Sequence, residues 1–352
     1  MSVLPKITFL VGMLFSSHFL LAQSDRVVCI QNLSRAQRLY EEGELLKAIS
    51  LIEDCAQEDN FEKNQLEEAH KLLVLCYTFL DKSGKAQEEY RKLLGVNPNY
   101  IPNVATEPVE LVQLHNSFRT NPIASFGLVL GGNLSSPIIN VESKEIFKAD
   151  GLRESNRTAS ARIGTRFGIM GELQLHSNFA INAKLLLSSI KYQLSENLFD
   201  GDQLVFDESQ SWIEFPLAFR YYAGRKNKSR FFLEAGLTGR LLRNSKASVQ
   251  RLVVNGADVS GPDIDISNSR MQTNYAYIFG AGLRRSLGNI LLSATISAQY
   301  DTSQQVDKGQ RYANQELLFR YGYVDEDFKV LTPSVSITIS YAIYRHKIVK
   351  RR

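Results

Sequence analysis

From Pro122 onward, apolar and polar residues alternate one by one, in segment after segment. The last segment is the clearest. Leu331, Pro333, Val335, Ile337, Ile339, Tyr341 and Ile343 fall on one parity, and Thr332, Ser334, Ser336, Thr338, Ser340 and Ala342 on the other. A period of two over this length predicts a strand with one greasy and one polar face. About ten residues is what a tilted strand needs to cross a bilayer, whereas strands in soluble sandwiches run nearer five or six. Seven earlier segments repeat the pattern, marked by Ala124–Leu130, Ile163–Leu175, Phe179–Leu187, Ile213–Tyr221, Phe231–Leu241, Tyr275–Leu283 and Ile290–Tyr300. An even number of long strands suits a closed membrane barrel.

The connections alternate in length. Short turns are expected at His176–Asn178, Arg225–Ser229 and Leu287–Asn289, and long polar loops at Asn133–Ala161, Ser195–Ser211, Ser245–Gln272 and Thr302–Val330. Bacterial outer-membrane barrels have short periplasmic turns and longer external loops. Both termini are therefore expected in the periplasm. Phe179, Tyr221, Phe231 and Tyr341 fit an aromatic girdle at that end, and Tyr275 and Tyr300 fit one at the other.

The opposite parity carries charge: Arg166, Glu172, Lys184, Glu214, Arg220, Glu234, Arg240 and Arg284. Eight strands leave a bore that side chains fill, and unpaired buried charge is costly. These residues are read as a lumen network that plugs the barrel, in preference to a conduction path.

Upstream, the periodicity is helical between Gln31 and Phe118. Stripes run through Leu33, Ala36, Leu39 and Tyr40; through Leu46, Ala48, Leu51 and Ile52; through Leu66, Ala69, Leu72, Leu73, Cys76 and Tyr77; and through Ala86, Tyr90, Leu93 and Leu94. The spacing of Leu73, Tyr77, Ala86, Tyr90 and Pro98 resembles the tetratricopeptide (TPR) repeat, and Ala36, Gly43, Ala48 and Ile52 fit an earlier, less complete unit. That resemblance implies a groove for a peptide or protein, with Tyr40 and Tyr77 as partner-binding candidates. The alternative is a helical spacer that binds nothing.

Met1–Ala22 has the make-up of a secretory signal: Lys6, an apolar run from Ile7 to Leu21, then Ala22. Export makes the cysteines readable, since an oxidising compartment favours a bridge. Cys29 opens the first helix and Cys55 ends its expected antiparallel partner, so these two are the disulfide candidates. Closing that loop contributes about 3 kcal/mol. Cys76 lies on an apolar stripe, as a buried free thiol would.

The fold class is thus α + β multidomain. Residues 23–96 form a short TPR-like helical domain, 97–122 a linker with one short helix, and 123–352 an eight-stranded antiparallel transmembrane β-barrel with a basic tail. The charge of +4 and 44% hydrophobic content give no support for nucleic-acid binding. None of the five histidines falls in a long loop, so a histidine-based triad there is excluded. No phosphate loop or metal-ligand cluster appears; Asp258, Asp263 and Asp265 lack the spacing of a calcium site. No enzyme activity, cofactor or metal is expected.

The run Ile213-Glu214-Phe215-Pro216-Leu217-Ala218-Phe219-Arg220, with Phe232-Leu233-Glu234-Ala235-Gly236 and Gly280-Ala281-Gly282, resembles the PorT-like outer-membrane β-barrel proteins of Bacteroidota. The resemblance covers residues 122–345. It implies a structural rather than catalytic barrel, in a family with some members linked to secretion and gliding machinery. One departure is the ending, which runs on to Arg345-His346-Lys347 instead of a terminal aromatic. The expected function is an outer-membrane barrel, embedded in lipid, that anchors a periplasmic interaction domain in a secretion, motility or envelope-biogenesis complex. The alternative is a narrow channel or a surface receptor using the external loops.

Overall fold

The computed structural model describes residues 26–56, 61–139, 157–197, 201–224 and 229–346. The expected signal segment Met1–Ala22 and the tail from Lys347 lie outside the described residues. The chain divides into two compact units: Asn121–Ile343, and Met1–Thr120 together with Tyr344–Arg352.

Eight long strands build the first unit: β1 (Ala124–Ile139), β2 (Thr158–Gln174), β3 (Phe179–Asn197), β4 (Gln203–Tyr222), β5 (Ser229–Leu252), β8 (Thr273–Leu287), β9 (Ile290–Asp301) and β10 (Phe328–Ile343). Two-residue strands β6 (Val259–Ser260) and β7 (Ile264–Asp265) pair with the far end of β5. Each long strand is antiparallel to the next, β4 pairs with β5, β5 with β8, and β10 returns to β1. This closed antiparallel wall leaves no edge, which is what a bilayer demands of a spanning sheet. Phe179, Tyr221, Leu233, Ala281, Ile296 and Val335 are successive register partners, so the outward apolar residues form a continuous belt. Phe179 and Tyr221 touch at the short-turn end, with ring centroids 5.2 Å apart, and Phe126 and Tyr341 lie 6.0 Å apart.

The loop expectations need correction. Most of Ser195–Ser211 is strand, as is the first third of Ser245–Gln272, so β4 and β5 reach 20 and 24 residues while β9 has 12. Beyond Leu187, Ile213 and Leu241 the alternation continues with its polarity exchanged. Ser189, Lys191, Ser209 and Lys246 now face out, while Ile190, Tyr192, Phe206, Ala247 and Val249 are buried inside. A strand that rises out of lipid into water must expose polar residues, so its outward face reads like a loop.

Glycine shapes the wall. A Cβ on Gly168 of β2 would sit 2.0 Å from the Leu185 carbonyl oxygen, and one on Gly236 of β5 would sit 2.0 Å from that of Leu217. Similar approaches occur at Gly127 against β10 and Gly282 against β9. These seams, β1/β10, β2/β3, β4/β5 and β8/β9, are every second one around the barrel. They are its corners, where neighbouring backbone takes the place of an inward side chain.

The second unit is helical: α1 (26–41), α2 (Leu45–Ile52), α3 (Lys63–Phe79), α4 (Ser83–Val96) and α5 (Val109–Ser117). Gly43, at φ +81°, ends α1 in the left-handed conformation that costs glycine least. The Glu62 amide donates to Gln65 Oε1 at 3.1 Å and starts α3. Ala36, Ala48, Ala69 and Ala86 are all buried, in one core with Leu73 and Ile52. Cys29 and Cys55 are joined in a disulfide with Cα atoms 5.5 Å apart. Cys76 is buried and unbridged, and burial pushes its thiol up to about 11. Purified unreduced protein should therefore show no thiol reactivity towards iodoacetamide at pH 8 until denaturant is added, and then one, at Cys76. Labelling of Cys29 or Cys55 in that sample would contradict the bridge.

Candidate functional site

The barrel strands aim their even-numbered residues inward on β3 and β4, and the inward charges fall into three layers. At the short-turn end, Glu172 is gripped by Arg284 through two bonds of 2.6 and 2.7 Å, and by Arg220 at 2.7 Å. Arg220 also reaches Glu234 at 2.5 Å, and Lys184 holds the other oxygen of Glu234 at 3.1 Å. Tyr222 donates to Glu172, and Phe232 lies under the Arg220 guanidinium at 4.1 Å. In the middle layer Arg166 meets Glu214 at 2.5 Å, and Arg240 meets Asp301 at 2.5 Å and Glu214 at 3.6 Å. Gln299 Oε1 accepts from both arginines and ties them together.

All eight predicted lumen residues are buried or nearly so and lie within these two layers. Asp301 was missed, although the inward parity of β9 carried one step past Gln299 reaches it.

The third layer lies at the long-loop end and escapes sequence reasoning. Arg270, fully buried, reaches both oxygens of Glu208 at 2.8 and 2.7 Å, and both of Asp325 at 2.8 and 2.9 Å. Tyr192, Gln210 and Ser245 complete the shell of Glu208. Extending the even parity of β4 upward would have found Glu208. Arg270 and Asp325 sit in irregular segments with no period to follow. Around them packs an apolar core of Tyr192, Phe206, Trp212, Leu317, Tyr323 and Phe328. The segment between β9 and β10 thus folds into the mouth of the barrel. Chemically, these layers hold the wall rigid and fill the bore with matched charge; a carboxylate wrapped this way is a poor base and no nucleophile.

Among the helices, the partner-binding candidates separate. Tyr77 is only 2% exposed, and its hydroxyl donates to Glu53 at 2.9 Å. It is a packing residue, and the expectation of a contact surface there is corrected. Tyr40 is half-buried, with its ring 6.2 Å from that of exposed Phe79. Of the acidic loop residues, Asp258 and Asp265 accept backbone amides at 3.1 and 2.9 Å.

A family profile described as the outer membrane protein beta-barrel domain matches residues 120–308, more than half of the chain. The chain belongs to that family. Solved outer-membrane proteins match this barrel at low identity. Ail, the attachment invasion locus protein of Yersinia pestis, is 11% identical; the match covers 62% of this chain and 99% of Ail, with a TM-score of 0.26. OprG from Pseudomonas aeruginosa is 10% identical over 64% and 98% of the two chains, with a TM-score of 0.35. OmpT, the outer membrane protease of Escherichia coli, is 9% identical over 62% and 96%, with a TM-score of 0.33. No curated protein matches the sequence.

Proposed function

We propose that this outer-membrane barrel anchors a periplasmic protein-interaction unit, as a non-enzymatic subunit of a secretion, motility or envelope-biogenesis complex. The observation that carries the reading is the charge-filled bore: among the described residues, three layers of interlocked charges cross it beneath an apolar mouth. A plugged barrel suits an anchor, and helices α1 to α5 belong to a compact unit separate from the barrel. The tetratricopeptide-like spacing supports a protein partner for that unit, with Tyr40 and Phe79 on the contact face. The resemblance to PorT-like proteins of Bacteroidota supports an envelope complex.

The second reading is a narrow channel or a surface receptor. It is favoured by Phe319, 80% exposed between β9 and β10. Deleting Cys29–Asn97 behind an intact signal separates the two. The anchor reading expects the truncated chain to reach the outer membrane with heat-modifiable gel mobility, yet to lose its co-purifying partner and its cellular role. A truncation that keeps both would make the helices a spacer. Function would then be sought in the external segments, where replacing exposed Phe319 with aspartate should weaken it without touching the mouth core.

A further inference from the structure

Just beyond the apolar belt, one wall of the barrel carries a row of outward cations. Arg162 on β2 is the register partner of Lys191 on β3, Lys191 of Ser209 on β4, and Ser209 of Lys246 on β5. The row beneath holds Ser189, Ser211 and Asn244, and the next holds the belt residues Leu187, Ile213 and Leu241. Arg162, Lys191, Ser209 and Lys246 line an open cavity of about 610 Å³, together with Asp207, Asp263 and Glu208, the last already paired with Arg270.

Two β-bulges place the cations there. Lower on β2 the even-numbered Arg166, Met170 and Glu172 point inward, and a register shift between Arg162 and Arg166 turns the even-numbered Arg162 outward. Lower on β5 Glu234, Thr238 and Arg240 point inward, and a shift opposite Ser211/Trp212 turns Lys246 outward and leaves exposed Arg243 as the extra residue. Bulges re-aim side chains. The apolar mouth explains the inward residues above the bulges, but it does not require cations outside; Ser209 fills the same row without charge. Arg162 directly opposite Lys191 is an unfavourable like-charge pair on a sheet. Arg162 Nε lies 3.6 Å from Asp207 and its Nη2 donates to Gln193. Lys191 forms no ion pair within 4 Å among the described residues, and Lys246, likewise without one, has Asp265 of β7 as its register partner on the far side.

We propose that this row seats the phosphorylated headgroup of an outer-leaflet lipid on the β2–β5 wall, with the acyl chains against Leu187, Ile213 and Leu241. Cations clustered at headgroup height, hydroxyl and amide donors beneath them, and a greasy face below that form the complement of a phosphate on a lipid. Naming the outer leaflet rests on the reading that puts both termini in the periplasm.

The test uses the full-length protein in neutral detergent, native mass spectrometry, and diphosphorylated lipid A as the probe. Wild type should retain the lipid, and K191E/K246E should lose it by about tenfold or more while keeping heat-modifiable mobility. Raising salt from about 0.1 to 1 M, which shortens the Debye length from about 10 to 3 Å, should strip lipid from wild type itself. Equal retention by the variant, or equal binding of dephosphorylated lipid A, would overturn the proposal. Full displacement by millimolar inorganic phosphate would overturn the lipid assignment in favour of a free-phosphate site. Labelling of S248C on intact cells by an impermeant maleimide should succeed. Its failure beside a positive lipid result would overturn the topology and move the site to the inner leaflet, with the phosphate chemistry intact.

Discussion

Replacing Arg270 with methionine should destabilise the barrel by about 3–5 kcal/mol, the cost of leaving buried charge without its partner. The effect should be large because Arg270 is, among the described residues, the cation paired with both Glu208 and Asp325, and it bonds both oxygens of each. Its loss leaves two carboxylates facing one another in an apolar core. The deficit should appear as a lower urea midpoint, read from the fluorescence of Trp212, which is buried beside this shell and donates to Gln210 at 2.8 Å. It should shrink as pH falls, because a buried carboxylate without a cation has a raised pKa and takes up a proton. The triple variant R270M/E208Q/D325N should recover most of the loss, since replacing all the charges is far cheaper than orphaning some. A single variant as stable as wild type at pH 8 would show that the mouth does not depend on this ion cluster.

The other large effect is expected at a corner. Gly168→Val should keep the barrel from closing, because its Cβ would lie 2.0 Å from the Leu185 carbonyl oxygen and 2.8 Å from the Leu186 Cα. Both obstacles are backbone, so β2 and β3 would have to separate. The cost should exceed the roughly 1–3 kcal/mol of ordinary overpacking. Gly171, three residues along the same strand, has nothing within 4 Å of an added Cβ. Gly171→Val should therefore reach the outer membrane with wild-type heat-modifiable mobility while Gly168→Val is degraded. If both variants assemble equally, the corners are softer than their geometry implies.

The barrel was legible because lipid imposes a simple rule on its strands. Phe215, Leu217, Phe219 and Tyr221 face out, and Glu214, Ala218 and Arg220 face in, for the full depth of the membrane. The rule fails where the strand meets water. Asp207, Ser209 and Ser211 look like loop, although β4 runs straight through them. The two charge layers within the membrane follow from parity, and Asp301 joins them one step beyond outward-facing Tyr300, at the last residue of β9. Arg270 and Asp325 come from segments of irregular backbone, and only tertiary folding brings them together. Tyr77 stands at a repeat's aromatic position, but the sequence does not say which of two tyrosines the helices cover.

The layer nearest the short turns sets three cations against two carboxylates, Lys184, Arg220 and Arg284 against Glu172 and Glu234. The middle layer sets two against two, and the layer at the mouth sets one cation against two carboxylates. The barrel axis is therefore a permanent dipole, negative at the mouth and positive at the short turns. An anion approaching from the mouth meets a like-charged gate, and a cation approaching from the short turns meets another. Even if the mouth segment swung aside, an ion of either sign would have to pass one like-charged layer whichever end it entered, so the dipole bars both signs in both directions.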